Sequence, residues 1–302
     1  MLDVVRLRVL AAVARHGSVT EAARALGYAQ PSVSHHLARL EAETGSRLVQ
    51  RVGRGVRLTD AGRMLAERAE EILGRMDAAE AELAAHTGLR AGRVRLAAFP
   101  SALGTFVPVA AAAFAADHPD VELRLSEAEP PEALRALRAG EIDIAVVFAH
   151  ANENDVPEGN GLRRTPLLTE ALHLVMPAET AGNSLADHAA SRWIGGCERC
   201  REQLVRACAD EGFTPDIAFT TDDYVAVQAL VAQGLAVTTL PTLALHAVRH
   251  QGIRTVPLDG QTRLVSAAVH GAPPDPPATA AVLTHLTKAA ATHADHQTPT
   301  PS

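Results

Sequence analysis

Lysine is almost missing from this chain: Lys288 is the only one, and every other basic residue among its 28 is arginine. Such a skew points to a GC-rich coding sequence before it points to guanidinium chemistry. Cysteine is scarce too. Three thiols in 302 residues, an odd number, do not make a disulfide framework and fit a reducing cytoplasm. The longest apolar run, residues 106–116, holds Pro108 and stops well short of the roughly 20 residues a membrane-spanning helix needs. Met1-Leu2-Asp3-Val4-Val5-Arg6 has no basic stretch followed by an apolar one, so no secretory leader is expected. Enzyme signatures are absent as well. There is no GxSxG, GxxxxGK(S/T) or HExxH, no cofactor is implied, and Glu127 with Glu129 read as solvated-loop acids.

What is present is a globular composition, 47% hydrophobic and 21% charged, long enough for two or three cores. The net charge of -7 is unevenly spread. Residues 1–58 carry nine arginines against four acids, so the rest of the chain is strongly acidic. A basic head on an acidic body points to a polyanion partner for the head alone.

The head has a helical pattern over residues 2–16, with apolar Val5, Val9, Ala12 and Val13, and Gly17 ends it. Ser18-Val19-Thr20-Glu21 has the form of a capping box for a short helix over 20–26, stopped by Gly27. A third helix opens at Pro31, places Val33, Leu37 and Leu40 on its core stripe, and ends at Gly45. Two short helices across a tight glycine turn predict a helix-turn-helix. Alternation over 47–51 and 55–58 around Gly53-Arg54 predicts a β-hairpin wing. Residues 59–85 then predict one long helix. Leu65, Ala69, Ile72, Met76, Ala79 and Leu83 are spaced alternately by four and three, a narrow stripe that suits pairing with a second copy. Gly88 to Gly92 is read as a hinge.

Beyond it strands and helices alternate: strands at 94–99, 121–125 and 142–148 with helices at 102–116 and 131–139 between them. Further strands at 171–176, 193–194, 217–219, 236–239 and 264–269 are interleaved with helices at 201–211, 224–233 and 279–291. That order implies parallel sheets covered on both faces. The tail over 292–302 is polar and reads as disordered. It holds His293, Asp295 and His296, which are not taken for a metal site.

With these motifs placed, the chain resembles the LysR-type transcriptional regulators along nearly its whole length. The resemblance is carried by Gly17-Ser18-Val19-Thr20-Glu21-Ala22-Ala23, Gln30-Pro31-Ser32-Val33-Ser34, Leu40-Glu41, Gly45, Leu48, Arg51 and Leu58-Thr59-Asp60-Ala61-Gly62. Later matches are His118-Pro119-Asp120-Val121-Glu122-Leu123, Gly140-Glu141-Ile142-Asp143-Ile144-Ala145, Val231-Ala232-Gln233-Gly234-Leu235-Ala236 and Leu240-Pro241. The resemblance implies an α/β multidomain chain. It would have a winged helix-turn-helix over 1–58, a long linker and dimerisation helix over 59–88, and a two-lobed, periplasmic-binding-protein-like effector domain over 92–291. Lobe I falls near 92–163 with 266–291, lobe II near 164–265. The implied activity is that of a cytoplasmic, ligand-responsive regulator, a homodimer or homotetramer on double-stranded DNA, with no membrane partner.

The resemblance places base contacts at Gln30, Pro31, Ser34 and His35, at the start of the recognition helix. Glutamine can bond adenine bidentately, while His35 stands where the family often has arginine. Gln30 or Ser34 could instead only cap the helix. Arg54 at the wing tip is the candidate for a phosphate or minor-groove contact. A ligand should lie beyond the carboxyl ends of the strands, between the lobes. Pro100 and Ser101, opening a helix and able to hold an anion, are candidates there, with Phe148 and Ala149, Cys197, Thr221 and Asp222. Cys197-Glu198-Arg199-Cys200 is a CxxC, and Cys208 reads as core. A thiol redox sensor on the same scaffold is one alternative, and a solute-binding protein is another.

Overall fold

The computed structural model describes residues 2–52, 55–86, 92–151 and 161–295. The chain divides into two compact units, residues 1–89 with 135–141, and residues 90–134 with 142–302. The hinge expected at Gly88 to Gly92 falls largely outside the described residues, and so does the wing tip.

The first unit opens with α1 (Val4–His16), capped by the Asp3 carboxylate on the Arg6 N–H at 3.2 Å and closed by Gly17 at φ +61°. In α2 (Val19–Leu26) half of the capping box forms: Ser18 Oγ accepts from the Glu21 N–H, while the Glu21 carboxylate takes Arg24. α3 (Gln30–Thr44) buries Val33, Leu37 and Leu40 against Val9, Leu10 and Val13 of α1 and Ala22 and Ala23 of α2. Truncating Leu10 or Leu40 would cost about 2–5 kcal/mol.

Antiparallel β1 (Val49–Val52) and β2 (Gly55–Leu58) pair Val49 with Leu58 and Val52 with Gly55. Glu41 ties α3 to this hairpin, its Oε1 accepting the N–H groups of Leu48 and Val49 at 2.8 and 3.1 Å. Thr59 starts α4 (Asp60–His86): its hydroxyl accepts the Gly62 N–H and donates to the Arg47 carbonyl. Gly62 has no alternative, because a Cβ there would lie 2.0 Å from the Leu48 carbonyl oxygen. The stripe expected to pair subunits is split. Leu65 and Ala69 pack within the chain on Leu7 and Ala11 of α1. That is a correction, since α1 covers the first half of the seam. Ile72 and Met76, each 38% exposed, and Ala79 remain open. The Leu83 side chain lies outside what is described.

After α4 the chain runs β3 (Arg93–Ala98), α5 (Pro100–Leu103), α6 (Phe106–Asp117), β4 (Glu122–Glu127), α7 (Pro130–Arg138), β5 (Ile144–His150), β6 (Leu162–Pro177), β7 (Arg192–Gly195), α8 (Glu198–Asp210), β8 (Asp216–Thr220), α9 (Tyr224–Ala232), β9 (Val237–Pro241), α10 (Thr242–Ala247), β10 (Ile253–His270) and α11 (Pro277–Asp295), all in the second unit except the end of α7 from Arg135. The sheet order is β4-β3-β5-β10-β6-β9-β7-β8. Two parallel triplets, β4-β3-β5 and β9-β7-β8, are therefore joined by the antiparallel pair β10 and β6.

These two strands are far longer than expected. Only 171–176 and 264–269 look like strand by pattern, because Arg163-Arg164-Thr165-Pro166 and Asp259-Gly260-Gln261 break the alternation. Mutual pairing from Leu162↔His270 to Pro177↔Ile253, with irregularities at Pro257/Thr262 and Val265/Ser266, extends both. Each strand so belongs to both halves of the sheet. The helix expected at 102–116 is two, broken at Gly104-Thr105, where Thr105 Oγ1 donates to the Ser101 carbonyl at 2.6 Å. α11 continues to Asp295, into the segment expected to be disordered, and 296–302 are not described. Its N-terminal half packs on α6 over a core of Phe106, Phe114, Ile144, Val146, Val282 and Leu286.

Candidate functional site

In the first unit, Gln30, Pro31, Ser34 and His35 are all exposed, on the side of α3 away from buried Val33, Leu37 and Leu40. One helical turn separates Gln30 from Ser34, so both side chains lie on one face. The helix N-cap is Ala29, which has no side-chain cap, so the capping alternative for Gln30 and Ser34 is not realised. Arg54 lies outside the described residues.

In the second unit a cleft of about 610 Å³, mouth included, opens where the carboxyl ends of both parallel triplets meet. Six of the seven candidate residues line it: Pro100, Ser101, Phe148, Cys197, Thr221 and Asp222. Ala149 does not. The alternation of β5 turns it to the face opposite Phe148. Residues that were not singled out complete the wall, chiefly Phe99, Glu129, Cys200, Tyr224, Leu240 and Arg263.

Behind the wall lies a buried ion pair. Arg263 on β10, 3% exposed, donates from Nε to Glu170 Oε1 at 2.7 Å and from a terminal nitrogen to Ser101 Oγ at 2.9 Å. Glu170 on β6 is wholly buried, and its other oxygen accepts the Leu243 N–H at 2.7 Å. The guanidinium carbon lies 4.3 Å from the Phe148 ring centroid and 4.8 Å from that of Phe99, and the two rings meet edge-on. The anion site expected at Pro100 and Ser101 is therefore corrected: α5 is a single turn, and the Ser101 hydroxyl is already held by Arg263.

Cys197 caps α8 and Cys200 sits in its first turn, with the two sulfurs 3.2 Å apart. Its hydrogen bond with Cys200 and its own burial push the Cys197 thiol up, while Cys197 donating to it holds Cys200 well below the usual thiol range. Cys208, deep in the α8 core, is pushed by burial up to about 11. Glu129, read as a solvated-loop acid, instead lines the cleft. Burial first, then the charges of Cys200 and Asp222, push it up to about 7. Asp222 is raised by burial and by Cys200. Glu127, two residues before Glu129, is the exposed acid of the two.

An exposed, basic-headed helix-turn-helix, followed by a two-part sheet with a cleft across its strand ends, defines a DNA-binding protein with a ligand-binding body. Residues 4–63 match the model of the bacterial regulatory helix-turn-helix proteins of the lysR family, and residues 87–291 match the LysR substrate binding domain. YcgK, an HTH-type transcriptional regulator of Bacillus subtilis (strain 168), is 30% identical over 279 residues, covering 80% of this chain and 81% of that one. A probable hydrogen peroxide-inducible genes activator of Streptomyces viridosporus is 31% identical over 251 residues, covering 80% and 78%. Among solved structures, the LysR family regulator CbnR shares the fold with a TM-score of 0.62 at 24% identity, over 96% of this chain and 99% of that one. The chain belongs to the LysR family of DNA-binding transcriptional regulators.

Proposed function

We propose that this regulator is switched by a small molecule held in the cleft between its two strand triplets. The observation that carries the reading is convergence: residues from the ends of β3, β5, β7, β8 and β9 wall one space, so a ligand there touches both halves of the sheet at once. Residues 1–58 then bind DNA, 59–88 associate subunits, and 92–291 bind the effector. Lobe I covers 92–163 with 266–291, and lobe II covers 164–265. Gln30, Pro31, Ser34 and His35 enter the major groove, and Arg54 holds a phosphate or the minor groove. Ile72, Met76, Ala79 and Leu83 carry association into a homodimer or homotetramer. The protein acts in the cytoplasm and is not a catalyst. Three free cysteines support that placement, and no described helix is long and apolar enough to cross a membrane. A metabolite screen by thermal shift on the full chain tests the switch, because a ligand of the folded form raises its stability by mass action. Hits should also change the affinity for operator DNA, and hits that stabilise without doing so count against the reading.

The 3.2 Å sulfur contact favours a second reading, a dithiol switch in the same cleft. The Cys200 thiolate would attack a peroxide oxygen, releasing hydroxide and forming a sulfenic acid. The Cys197 thiol would then displace water to leave a disulfide. Peroxide should lower the native thiol count from three to one, and Cys197→Ser with Cys200→Ser should hold it at one. Operator binding that ignores peroxide in the wild type while the thiol count falls would exclude a regulatory role.

A further inference from the structure

The charged side chains in the cleft lining are two acids, Glu129 and Asp222, and one cation. Arg263 is the cation in its lining, and that charge is already answered by Glu170, with Ser101 taking a second donor and two phenyl rings covering the guanidinium. Glu170 is itself satisfied on both oxygens. The ion pair therefore presents no net charge to a ligand. Glu129 and Asp222 also line the cleft.

Glu129 carries the sharpest signal. Its Oε2 is fully buried and has no hydrogen-bond partner among the described residues. A buried carboxylate oxygen left without a donor is costly, and an arriving N–H removes that cost. A ligand anion would do the reverse, bringing a third negative charge to two that already repel. The N-terminal end of α8, the other feature that could favour an anion, carries the Cys197–Cys200 sulfur pair at its cap and first turn. A metal ion fits poorly too, since no group of three or more His, Cys, Asp or Glu among the described residues could hold one. The remaining wall is mainly apolar, with Phe99, Phe148, Ile194, Leu204, Tyr224 and Leu240, and adds the neutral hydroxyls of Thr221, Thr238 and Thr239.

We propose that the effector is a small organic cation, a primary or secondary amine on an apolar body, with its ammonium held by Glu129 and Asp222 and its body against the rings. This rests on the reading of the cleft as the effector site. An ammonium beside the Glu129 carboxyl group brings a donor to a carboxylate short of one and offsets the charge of Asp222, which lines the same cleft. With the cleft empty, Glu129 at about 7 is partly protonated at neutral pH; a bound cation favours its charged form.

The test uses the full chain and three probes that share a phenyl ring and a two-carbon spacer: 2-phenylethylamine, 2-phenylethanol and 3-phenylpropionate, titrated calorimetrically. The amine should bind at least about tenfold tighter than the alcohol, and the carboxylate weakest. Glu129→Gln with Asp222→Asn should erase the advantage of the amine and leave the alcohol within about twofold, which also shows that the variant is folded. A carboxylate that binds as well as the amine overturns the cation assignment and leaves the cleft reading standing. An amine advantage that survives in the double variant overturns it as well, placing the cation elsewhere. If none of the three binds at millimolar concentration, the cation assignment falls, while the cleft reading stands or falls on the metabolite screen.

Discussion

Arg263→Met should destabilise the second unit far more than the loss of one surface arginine would. In the wild type, Nε to Glu170 Oε1 is 2.7 Å and a second donor reaches Ser101 at 2.9 Å, with the arginine 3% exposed and the carboxylate wholly buried. Removing the guanidinium leaves Glu170 with the Leu243 N–H alone. The lost attraction is about 4 kcal/mol for unit charges about 4 Å apart at an effective dielectric of about 20. Breaking one side of a buried pair costs about 3–5 kcal/mol by experience with other proteins. For a unit of about 200 residues this corresponds to a fall of about 6–20 °C in melting temperature. Trp193 is the only tryptophan and is fully buried in β7, so its fluorescence reports on this unit and not on the helix-turn-helix. Arg263→Met with Glu170→Gln should recover more than half of the loss, because the site is neutral again and the amide oxygen still accepts from Leu243. A single variant that loses less than about 1 kcal/mol, or a double variant that melts no higher than the single, would refute the argument.

Gly62→Ala should cost the first unit at least about 1–3 kcal/mol, because the new methyl would sit 2.0 Å from a backbone oxygen that cannot swing aside. A variant melting within a degree of the wild type would contradict this. Gln30→Ala should lose about 1–3 kcal/mol on a cognate operator and little on random duplex; equal losses on both would mean that the residue positions the helix and reads nothing. Ile72→Glu should weaken subunit association in sedimentation without lowering thermal stability, whereas Leu65→Ala should lower stability first, since Leu65 packs inside the chain. Glu129→Gln tests the buried acid: the folded pKa of about 7 lies above the ordinary 4.5, so its stabilisation is complete below about pH 4.5 and is lost as pH rises through about 7. The melting temperature of the wild type should therefore fall relative to Glu129→Gln across that window, and parallel curves would reject the shift.

The first unit is legible in sequence because its determinants are local. Gly17, Gly27 and Gly45 stop their helices where a left-handed residue is needed, and each takes φ between +61° and +68°. Val33, Leu37 and Leu40 announce their buried face by spacing alone. The stripe on α4 is a partial exception. Its period is correct throughout, but nothing in the period says which partner covers which half, and α1 claims Leu65 and Ala69. In the second unit the short parallel strands are visible as apolar runs, while most of β6 and β10 is not. A strand built of Arg163-Arg164-Thr165-Pro166 exists because Val269 back to Ser266 pair with it, and such pairing across about 100 residues leaves no local trace.

The cleft shows the same limit at the level of chemistry. Strand ends are predictable positions, which is why six of seven candidates reach the cleft, and the seventh misses by the one-residue alternation that turns a side chain to the other face. Charge is harder. Glu127 and Glu129 are two residues apart, of one type, at the end of one strand, and sequence reasoning treats them alike. One ends β4 exposed to water; the other, just before the prolines that open α7, has an oxygen sealed from solvent beside Cys197, Cys200 and Asp222. The difference comes from elements about 70 and 90 residues away that close over one carboxylate and leave the other in solvent. The polarity of the ligand site is therefore a tertiary property. Glu127→Gln should leave amine binding unchanged while Glu129→Gln reduces it, and equal effects would mean that the two acids act only as a diffuse surface charge at the cleft mouth.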